Sequence, residues 1–265
     1  MSIFRERQIV KKRRRWMTML RKVERILISV VIVIAGLTAL YGIYVMVCFG
    51  DAFAIKRIEI EGDWKYLSAE RLATEAAITE GESLFWLSMD DVHARLKNNP
   101  WVKATVVRRM LPDTLWIYAE EYRPRAIVFA DGFFYTDETG VLFKVPEAGE
   151  EKDFPVLSGI KVLEGRKLDD KNSERLLSML GIISSFEKSA AGLEHGIAEV
   201  NFDKERGYSI ITREKPMQIY LGHAAAQDAF KMIDDILPEV KKRFARIKYM
   251  LANEPERLVV KYQTS

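Results

Sequence analysis

The side chains that most often carry catalysis are few in this chain and are far apart in its sequence. Its histidines are His93, in a predicted amphipathic helix, His195, beside a glycine in a predicted loop, and His223, near a predicted helix start. A nucleophilic mechanism needs a Ser or Cys with a base within hydrogen-bonding reach, and no recognisable nucleophile motif surrounds these histidines. We therefore expect no hydrolytic triad.

Ser88-Met89 is similar to the nucleophile of membrane-anchored signal peptidases, which pair a serine with a lysine base. Here Asp90 follows instead of proline, and Ser88 is better explained as a helix cap. Neighbouring carboxylates are a second possible source of chemistry, but each pair falls at an expected helix cap or on an exposed helix face. These pairs are Asp90-Asp91, Asp169-Asp170 and Asp234-Asp235.

Glu120 and Glu121 precede Arg123 and Arg125 at the end of a predicted strand, where charged side chains are usually solvated and structural. The chain has one cysteine, which excludes a disulfide within it and a zinc site of several cysteines. Neither a Gly-rich dinucleotide fingerprint nor a phosphate-binding loop is present. We expect a protein that is not an enzyme and needs no cofactor or metal.

An uncharged stretch is the first of the elements that must position these side chains. From Ile26 to Phe49 the chain runs 24 residues without a charge. A helix of that length spans about 36 Å, enough to cross a hydrocarbon core of about 30 Å. A cleaved signal peptide is the alternative, because Ala52-Phe53-Ala54 has the spacing of a cleavage site. Signal peptides have apolar cores of only about 7–15 residues, so an uncleaved anchor is favoured.

A basic arm precedes this span and predicts its orientation. Residues 1–25 contain ten Lys and Arg residues, and only Glu6 and Glu24 are acidic. Basic flanks stay in the cytoplasm, so we expect the domains after the span to lie outside it. The whole chain carries +3, but after residue 25 there are 31 basic and 36 acidic residues. This separation argues against nucleic acid as a partner, and no small-molecule substrate is indicated.

The segment after the span predicts a small α+β domain of order β-α-α-β-β. Ser68 and Ser88 are expected to cap its two helices, and Trp101 is expected in its core. Leu84–Leu87 is expected to form an apolar plug. The predicted elements are a strand within Ile55–Glu61, helices over 69–78 and 89–98, and strands over Val102–Arg109 and Thr114–Glu121.

The residues after Pro124 predict a larger, strand-rich domain with flanking helices, because short apolar runs are separated by turn signals such as Asp131-Gly132. One helix is expected from a cap at Asp169 or Asp170 to about residue 187, and a second over Ala224–Phe244, ending or bending near Pro238. The predicted strands are Ala126–Ala130, Phe133–Thr136, Val141–Val145, Ile197–Phe202, Tyr208–Thr212, Gln218–Leu221, Arg246–Ala252 and Arg257–Tyr262, with a turn at 253–256.

Several of these segments resemble a known family. Phe53–Gly62 is similar to the opening of a POTRA domain. The later half of a POTRA domain is similar to four further segments: Asn99–Val102, Val106–Arg109, Leu111–Leu115 and Glu121–Ala126. Together with a single N-terminal anchor, this pattern resembles the FtsQ/DivIB family of bacterial cell-division proteins. The resemblance implies an α+β fold with one transmembrane helix, a small POTRA domain and a larger mixed β domain with flanking helices.

The resemblance also implies a binding function. In this family the last strand lies at a sheet edge and accepts a strand from FtsB, a small coiled-coil division protein; FtsL is the other partner expected. In such β-augmentation, unpaired backbone groups give affinity and alternate side chains give specificity. The residues expected to bind the partner are Tyr249, Asn253, Glu254, Arg257, Leu258, Val259, Val260 and Lys261.

This chain departs from the family pattern just before that strand. Where members commonly carry Asp-Leu-Arg-Tyr, it has Leu251–Glu254. The missing Arg-Tyr pair puts side-chain anchoring of the partner in question, while pairing through the backbone does not depend on it. The structural alternative is an ordinary terminal strand inside a sheet.

We therefore predict a non-enzymatic scaffold of the division machinery that helps recruit or regulate septal peptidoglycan synthesis. Its predicted segments are a cytoplasmic arm (1–25), a single-pass anchor in the cytoplasmic membrane (26–49), a POTRA domain (53–123) and a β domain (124–265), both outside the cytoplasm at the septum. The alternative is a POTRA-containing envelope protein for outer-membrane assembly or secretion, although such proteins usually carry several POTRA copies before a β-barrel. An anchored envelope hydrolase would need a cluster of polar groups that the sequence does not provide.

Overall fold

The computed structural model describes residues 2–49, 53–223, 226–240, 247–254 and 257–262. Helix α1 covers Ser2–Phe49, so the basic arm and the apolar span belong to one continuous helix. Within the described residues, one helix is long and apolar enough to cross a membrane, over Arg21–Met46, with a mean hydropathy of 2.6. This stretch overlaps the span predicted from Ile26 to Phe49. Its apolar side chains are exposed in the protein, as the anchor prediction requires.

The chain folds into two compact units that do not follow a single cut in the sequence. The first unit contains the residues up to Gly62 together with Ser68–Lys97 and Thr105–Ala119. The second contains Asp63–Leu67, Asn98–Ala104 and the residues from Glu120 onward. The predicted boundary between a POTRA domain and a β domain, at residues 123 and 124, stays a prediction, because these units are defined by contacts and not by one position in the sequence.

The first sheet has the predicted β-α-α-β-β order. Its elements are β1 (Arg57–Glu61), α2 (Ala69–Ala76), α3 (Met89–Lys97), β2 (Val102–Met110) and β3 (Thr114–Glu121). Among the described residues the sheet has three strands, in the order β1-β3-β2, with β1 parallel to β3. Both predicted caps are present, since the hydroxyl of Ser68 accepts from the backbone N–H of Arg71, and that of Ser88 from Asp91.

The two helices cover one face of this sheet. On β2, Thr105 Oγ1 lies 2.5 Å from Nδ1 of His93 on α3, and the Arg109 guanidinium donates to the carbonyls of Leu84 and Leu87. Leu115 and Ile117 of β3 are fully buried, as are Leu72 and Leu96 of the helices. The plug prediction is half wrong, because Leu84 and Leu87 are buried whereas Phe85 and Trp86 are exposed.

The second unit is built on a mixed sheet with the strand order β12-β11-β10-β9-β8-β7-β4-β5-β6 among the described residues. Its strands are β4 (Ala126–Phe129), β5 (Phe133–Thr136), β6 (Leu142–Lys144), β7 (Val156–Ser158), β8 (Ile197–Asp203), β9 (Gly207–Thr212), β10 (Gln218–Gly222), β11 (Ile247–Glu254) and β12 (Arg257–Tyr262). Its helices are α4 (Asp170–Phe186), α5 (Ala190–His195) and α6 (Ala226–Val240).

The main core lies between this sheet and its helices. Val200, Ile210 and Met250, from three strands of the sheet, are fully buried in the same cluster as Ile183 of α4 and Ile233 of α6. Parallel neighbours require a crossover connection; β7 and β8 are joined through α4 and α5, and β10 and β11 through α6. The second crossover sets β11 beside β10 and leaves β12 to form the next strand outward.

An aromatic cluster occupies part of the opposite face of this unit. The ring of Trp101 stacks on Tyr66 at 4.1 Å and lies 5.7 Å from Tyr135 and 5.6 Å from Phe143. Trp101 therefore belongs to the second unit, and the prediction that it anchors the small domain's core is wrong. Burial raises the pKa of Tyr135 to about 12, and its hydroxyl donates to the carbonyl of Glu151.

Glu121 differs from the expectation that strand-end charges are solvated. Its side chain is buried, and its carboxylate accepts the backbone N–H groups of Lys65, Tyr66 and Leu67 at 2.7, 2.8 and 2.5 Å. Its neighbour Glu120 pairs with Lys103 at a partly exposed position, as expected. Glu121 is thus structural, as predicted, but because it holds the 63–67 segment.

Two short elements of the second unit, β7 and α5, were not predicted. His195, expected in a loop, is the last residue of α5 and is buried. The Asp169 cap of α4 is confirmed, since its side chain accepts from the N–H of Asn172. Helix α6 continues past Pro238 to Val240, and the predicted ends of this helix at 224–225 and 241–244 lie outside the described residues.

Candidate partner-binding edge

The strand β12 lies at one end of the large sheet. It pairs with β11 in antiparallel fashion, with Tyr249 opposite Lys261, Leu251 opposite Val259 and Glu254 opposite Arg257. Within the described residues no strand pairs with the other side of β12. Every residue predicted to bind a partner therefore lies on this terminal pair of strands.

The side chains of β12 alternate between the two faces of the sheet. Leu258 and Val260 are half-buried and pack against the main core, with Val260 opposite the fully buried Met250. Arg257, Val259 and Lys261 are exposed on the other face. Because a strand has a period of two residues, the inward pair fixes the register of β12 and leaves the outward set open to solvent.

Tyr249 is the centre of a small group of side chains on that open face. Its ring meets the ring of Tyr220 edge to face at 6.1 Å, and Nζ of Lys261 lies 5.7 Å from its centroid. Tyr220, on the next strand inward, was not predicted as a site residue. The alternation of apolar and polar residues in Gln218–Leu221 was the signal available, since it places Tyr220 on the face opposite Ile219 and Leu221.

The first two residues of the predicted turn at 253–256 belong to a strand instead. Asn253 and Glu254 belong to β11, while Pro255 and Glu256 lie outside the described residues. Arg257 pairs with Glu254 at 3.3 Å, and both side chains are well exposed. Such an exposed ion pair contributes at most about 1 kcal/mol, so it does not prevent either side chain from turning toward a partner.

A depression of about 720 Å³ lies on the open face beside the edge pair. It is lined by Tyr220, Tyr249, Leu251 and Asn253, together with Gly222, His223 and the Glu205-Arg206 turn. At that turn, the backbone N–H groups of Arg206 and Glu205 hold the pKa of Asp203 below its usual range. The turn residues were missed because nothing local in the sequence shows that the β8–β9 turn reaches this place.

The described residues contain no group of three or more His, Cys, Asp or Glu side chains placed to hold a metal ion. The histidines lie in three different places: His93 on α3, His195 at the end of α5, and His223 beside the depression. The edge of the large sheet consists of the backbone groups of β12 and a few exposed side chains.

Comparison with known proteins identifies both halves of the chain. Residues 53–122 match the model of a POTRA domain, FtsQ-type, and residues 126–250 match that of the Cell division protein FtsQ/DivIB, C-terminal. A Cell division protein FtsQ from Syntrophotalea carbinolica is 30% identical over 219 residues, which cover 82% of this chain and 76% of that protein. One from Geotalea daltonii is 25% identical, covering 91% and 88%. A Cell division protein DivIB from Geobacillus kaustophilus is 26% identical, covering 58% and 55%.

Proposed function

Because this chain belongs to the FtsQ/DivIB family of cell-division proteins, we propose that it is a non-enzymatic scaffold that binds division partners at the free side of β12. The partners are coiled-coil proteins similar to FtsB and FtsL. Through them the chain recruits or regulates the enzymes of septal peptidoglycan synthesis.

The position of β12 at the end of the sheet carries this proposal. An edge strand presents a row of unpaired N–H and C=O groups that another extended segment can pair with. β12 keeps Leu258 and Val260 against the core while it exposes Arg257, Val259 and Lys261. The packing of Leu258 and Val260 therefore holds β12 in place without a partner, so a partner need not order this strand upon binding.

The side chains on the open face supply the specificity of this proposed site. An added strand would continue the sheet and place alternate side chains beside Val259 and Lys261. Tyr249 and the depression beside it offer an apolar and aromatic surface to a segment that continues from that strand. In this proposal the arrangement takes the place of the Arg-Tyr pair that the family resemblance leads us to expect near residues 253 and 254.

The apolar helix α1 supports a proposal about the cellular location of this site. The chain is a cell-division protein, and its described residues include one helix near the N-terminus that is long and apolar enough to span a membrane. We propose that this helix spans the cytoplasmic membrane once, with the N-terminus in the cytoplasm and both folded units outside it at the septum. The basic arm supports this orientation.

Replacing Val259 by proline tests the binding site. Proline removes a backbone N–H and fixes φ, and the Val259 side chain is exposed, so the change removes no side chain from the core. We expect copurification of the full-length chain with an FtsB-like coiled-coil protein to fall at least about tenfold, the loss of about 1.4 kcal/mol of binding free energy. Cells that depend on the variant should grow as long undivided filaments.

Two controls make the result decisive. Val259→Thr keeps the N–H and the β-branched shape, so it should bind as the unchanged chain does. Val260→Pro probes the adjacent N–H, which faces the opposite side of the strand in an antiparallel ladder. If neither Val259→Pro nor Val260→Pro changes the capture of the partner, the edge-strand proposal is contradicted.

A further inference from the structure

The face of the first sheet opposite its helices carries an unusual set of side chains. In the middle strand β3, Trp116 and Tyr118 alternate with the buried Leu115 and Ile117, so both aromatic rings lie on the helix-free face. Their rings are nearly parallel, with an angle of 16° and a centroid distance of 6.2 Å. Tyr118 is 39% exposed. A face that met only water would be expected to be polar.

The neighbouring strand β2 adds apolar and basic groups to this face. The Arg108 guanidinium lies 5.7 Å from the ring centroid of Trp116, which places Arg108 on the same side as the aromatic pair. Val106 and Met110, two residues away on either side, are 39% and 50% exposed. Aromatic residues, Met and Arg are the residue types enriched in protein interfaces.

The other neighbour, β1, contributes an acidic edge. Glu59 stands opposite Trp116 in the register, and Glu61 stands opposite Tyr118; both are exposed. Arg57, at the start of the same strand, is engaged with Asp113 at 3.4 Å. The face therefore consists of three columns: acidic on β1, aromatic on β3, and basic with apolar flanks on β2.

We propose that this helix-free face is a docking surface for one amphipathic helix of a partner protein. The apolar ridge of that helix lies along Trp116 and Tyr118, with basic residues on the side that meets Glu59 and Glu61 and acidic residues on the side that meets Arg108. Three strands at a spacing of about 4.8 Å give a surface about 10 Å wide, and a helix with its side chains is about 10–12 Å across. One helix fills the face.

The charge columns also determine the direction of the bound helix. A helix turned end for end would bring its acidic side onto Glu59 and Glu61 and its basic side onto Arg108. Like charges in such contacts are unfavourable, so a helix with mixed flanks binds in one direction. This surface is distinct from the strand-pairing edge of β12.

Three synthetic helical peptides with the same apolar ridge test the proposal against the full-length chain in detergent micelles. The first has lysines along one flank and glutamates along the other, the second has lysines on both flanks, and the third has glutamates on both. Fluorescence anisotropy of labelled peptides gives the affinities, with binding to empty micelles subtracted. We expect the mixed peptide to bind at least about tenfold tighter than either of the others, a difference of about 1.4 kcal/mol.

A change of preference in a variant separates charge recognition from loss of fold. Arg108→Glu makes both outer columns acidic, so the peptide with lysines on both flanks should become the preferred one. Lys97→Glu makes the same charge change at an exposed position of α3 and should keep the original order, as should Val259→Pro. An order of preference that Arg108→Glu leaves unchanged overturns the proposal. A dimer of the chain that this variant dissociates also overturns it and assigns the face to a second copy.

Discussion

At the scale of single residues, Glu121 shows how the surroundings decide what a strand-end carboxylate does. Its carboxylate accepts the N–H groups of Lys65, Tyr66 and Leu67, whereas Glu120 beside it makes an exposed ion pair with Lys103. Hydrogen bonds to a buried charged group are worth more than those between neutral groups. The two neighbours therefore make very different contributions to stability.

Glu121→Gln should lower the free energy of unfolding by about 1–3 kcal/mol. The amide keeps one acceptor oxygen but turns its NH₂ group toward a backbone N–H that then has no acceptor. Thermal unfolding of the full-length chain in detergent measures the change. Glu120→Gln is the matched control and should cost at most about 1 kcal/mol; equal losses in the two variants would contradict the structural role of Glu121.

Predictions from the sequence were least complete for the environments of single residues. The capping serines Ser68 and Ser88 were predictable, because a cap depends on neighbours within one turn of helix. The environments of Trp101 and Glu121 were not, because both depend on segments distant in sequence. The same holds for Tyr220. The alternation around it is visible in the sequence, but its contact with Tyr249 exists only once β10 and β11 are paired.

At the scale of elements, tight backbone contacts support the edge pair. Gly207 begins β9 with a φ of +76°, and a Cβ built there would lie 2.2 Å from the carbonyl carbon of Gly222 at the end of β10. Gly222 in turn approaches Asn253 of β11, where a Cβ would meet that residue's Cβ at 2.9 Å. The start of β9 thus packs against the backbone at the end of β10, which in turn packs against β11, the strand beside β12.

Gly207→Ala should therefore destabilise the second unit by about 2–4 kcal/mol, since it adds a backbone clash to the strain of a left-handed conformation. Gly165→Ala is a matched control, because Gly165 has a φ of +75° and open space around it. Strain alone should cost that control about 1–2 kcal/mol. Unfolding in urea gives both values, and a Gly207→Ala cost no larger than that of the control would show that the strands relax freely.

Elements with strong local patterns were predicted well, and short ones were not. β3 and β5 have the predicted bounds, and the predicted α+β organisation is confirmed. β7 has three residues, Val156–Ser158, too few to show a period, and it exists because β4 and β8 pair with it on either side. The binding role of the β12 residues stays a prediction, because it depends on a second protein.

At the scale of the whole molecule, the charge asymmetry of α1 makes a prediction about orientation. Ten basic residues lie in the arm before the apolar span. Replacing Arg13–Arg15, Arg21, Lys22 and Arg25 by glutamine should insert a measurable share of the chains with the folded units on the cytoplasmic side. Protease added to intact spheroplasts should then digest fewer of these units.

The same number of basic residues replaced on the surface of the second unit provides the control for that experiment. Charges in large domains have little influence on orientation, so these chains should remain fully accessible to the protease. An arm variant that is as accessible as the control would contradict the role of the arm in setting the orientation. Folded units of the unchanged chain that resist the protease would contradict the orientation itself, while leaving the strand-pairing and helix-docking proposals intact.

The interleaving of the two units has a consequence for how such a protein can be inherited. The second unit includes Asp63–Leu67 and Asn98–Ala104, which are encoded between parts of the first. A single recombination event at residue 123 would deliver the large sheet without Tyr66 and Trp101, two members of its aromatic cluster. Selection should therefore keep the coding sequences of the two structural units together. A hybrid of two relatives should function best when both structural units come from the same parent.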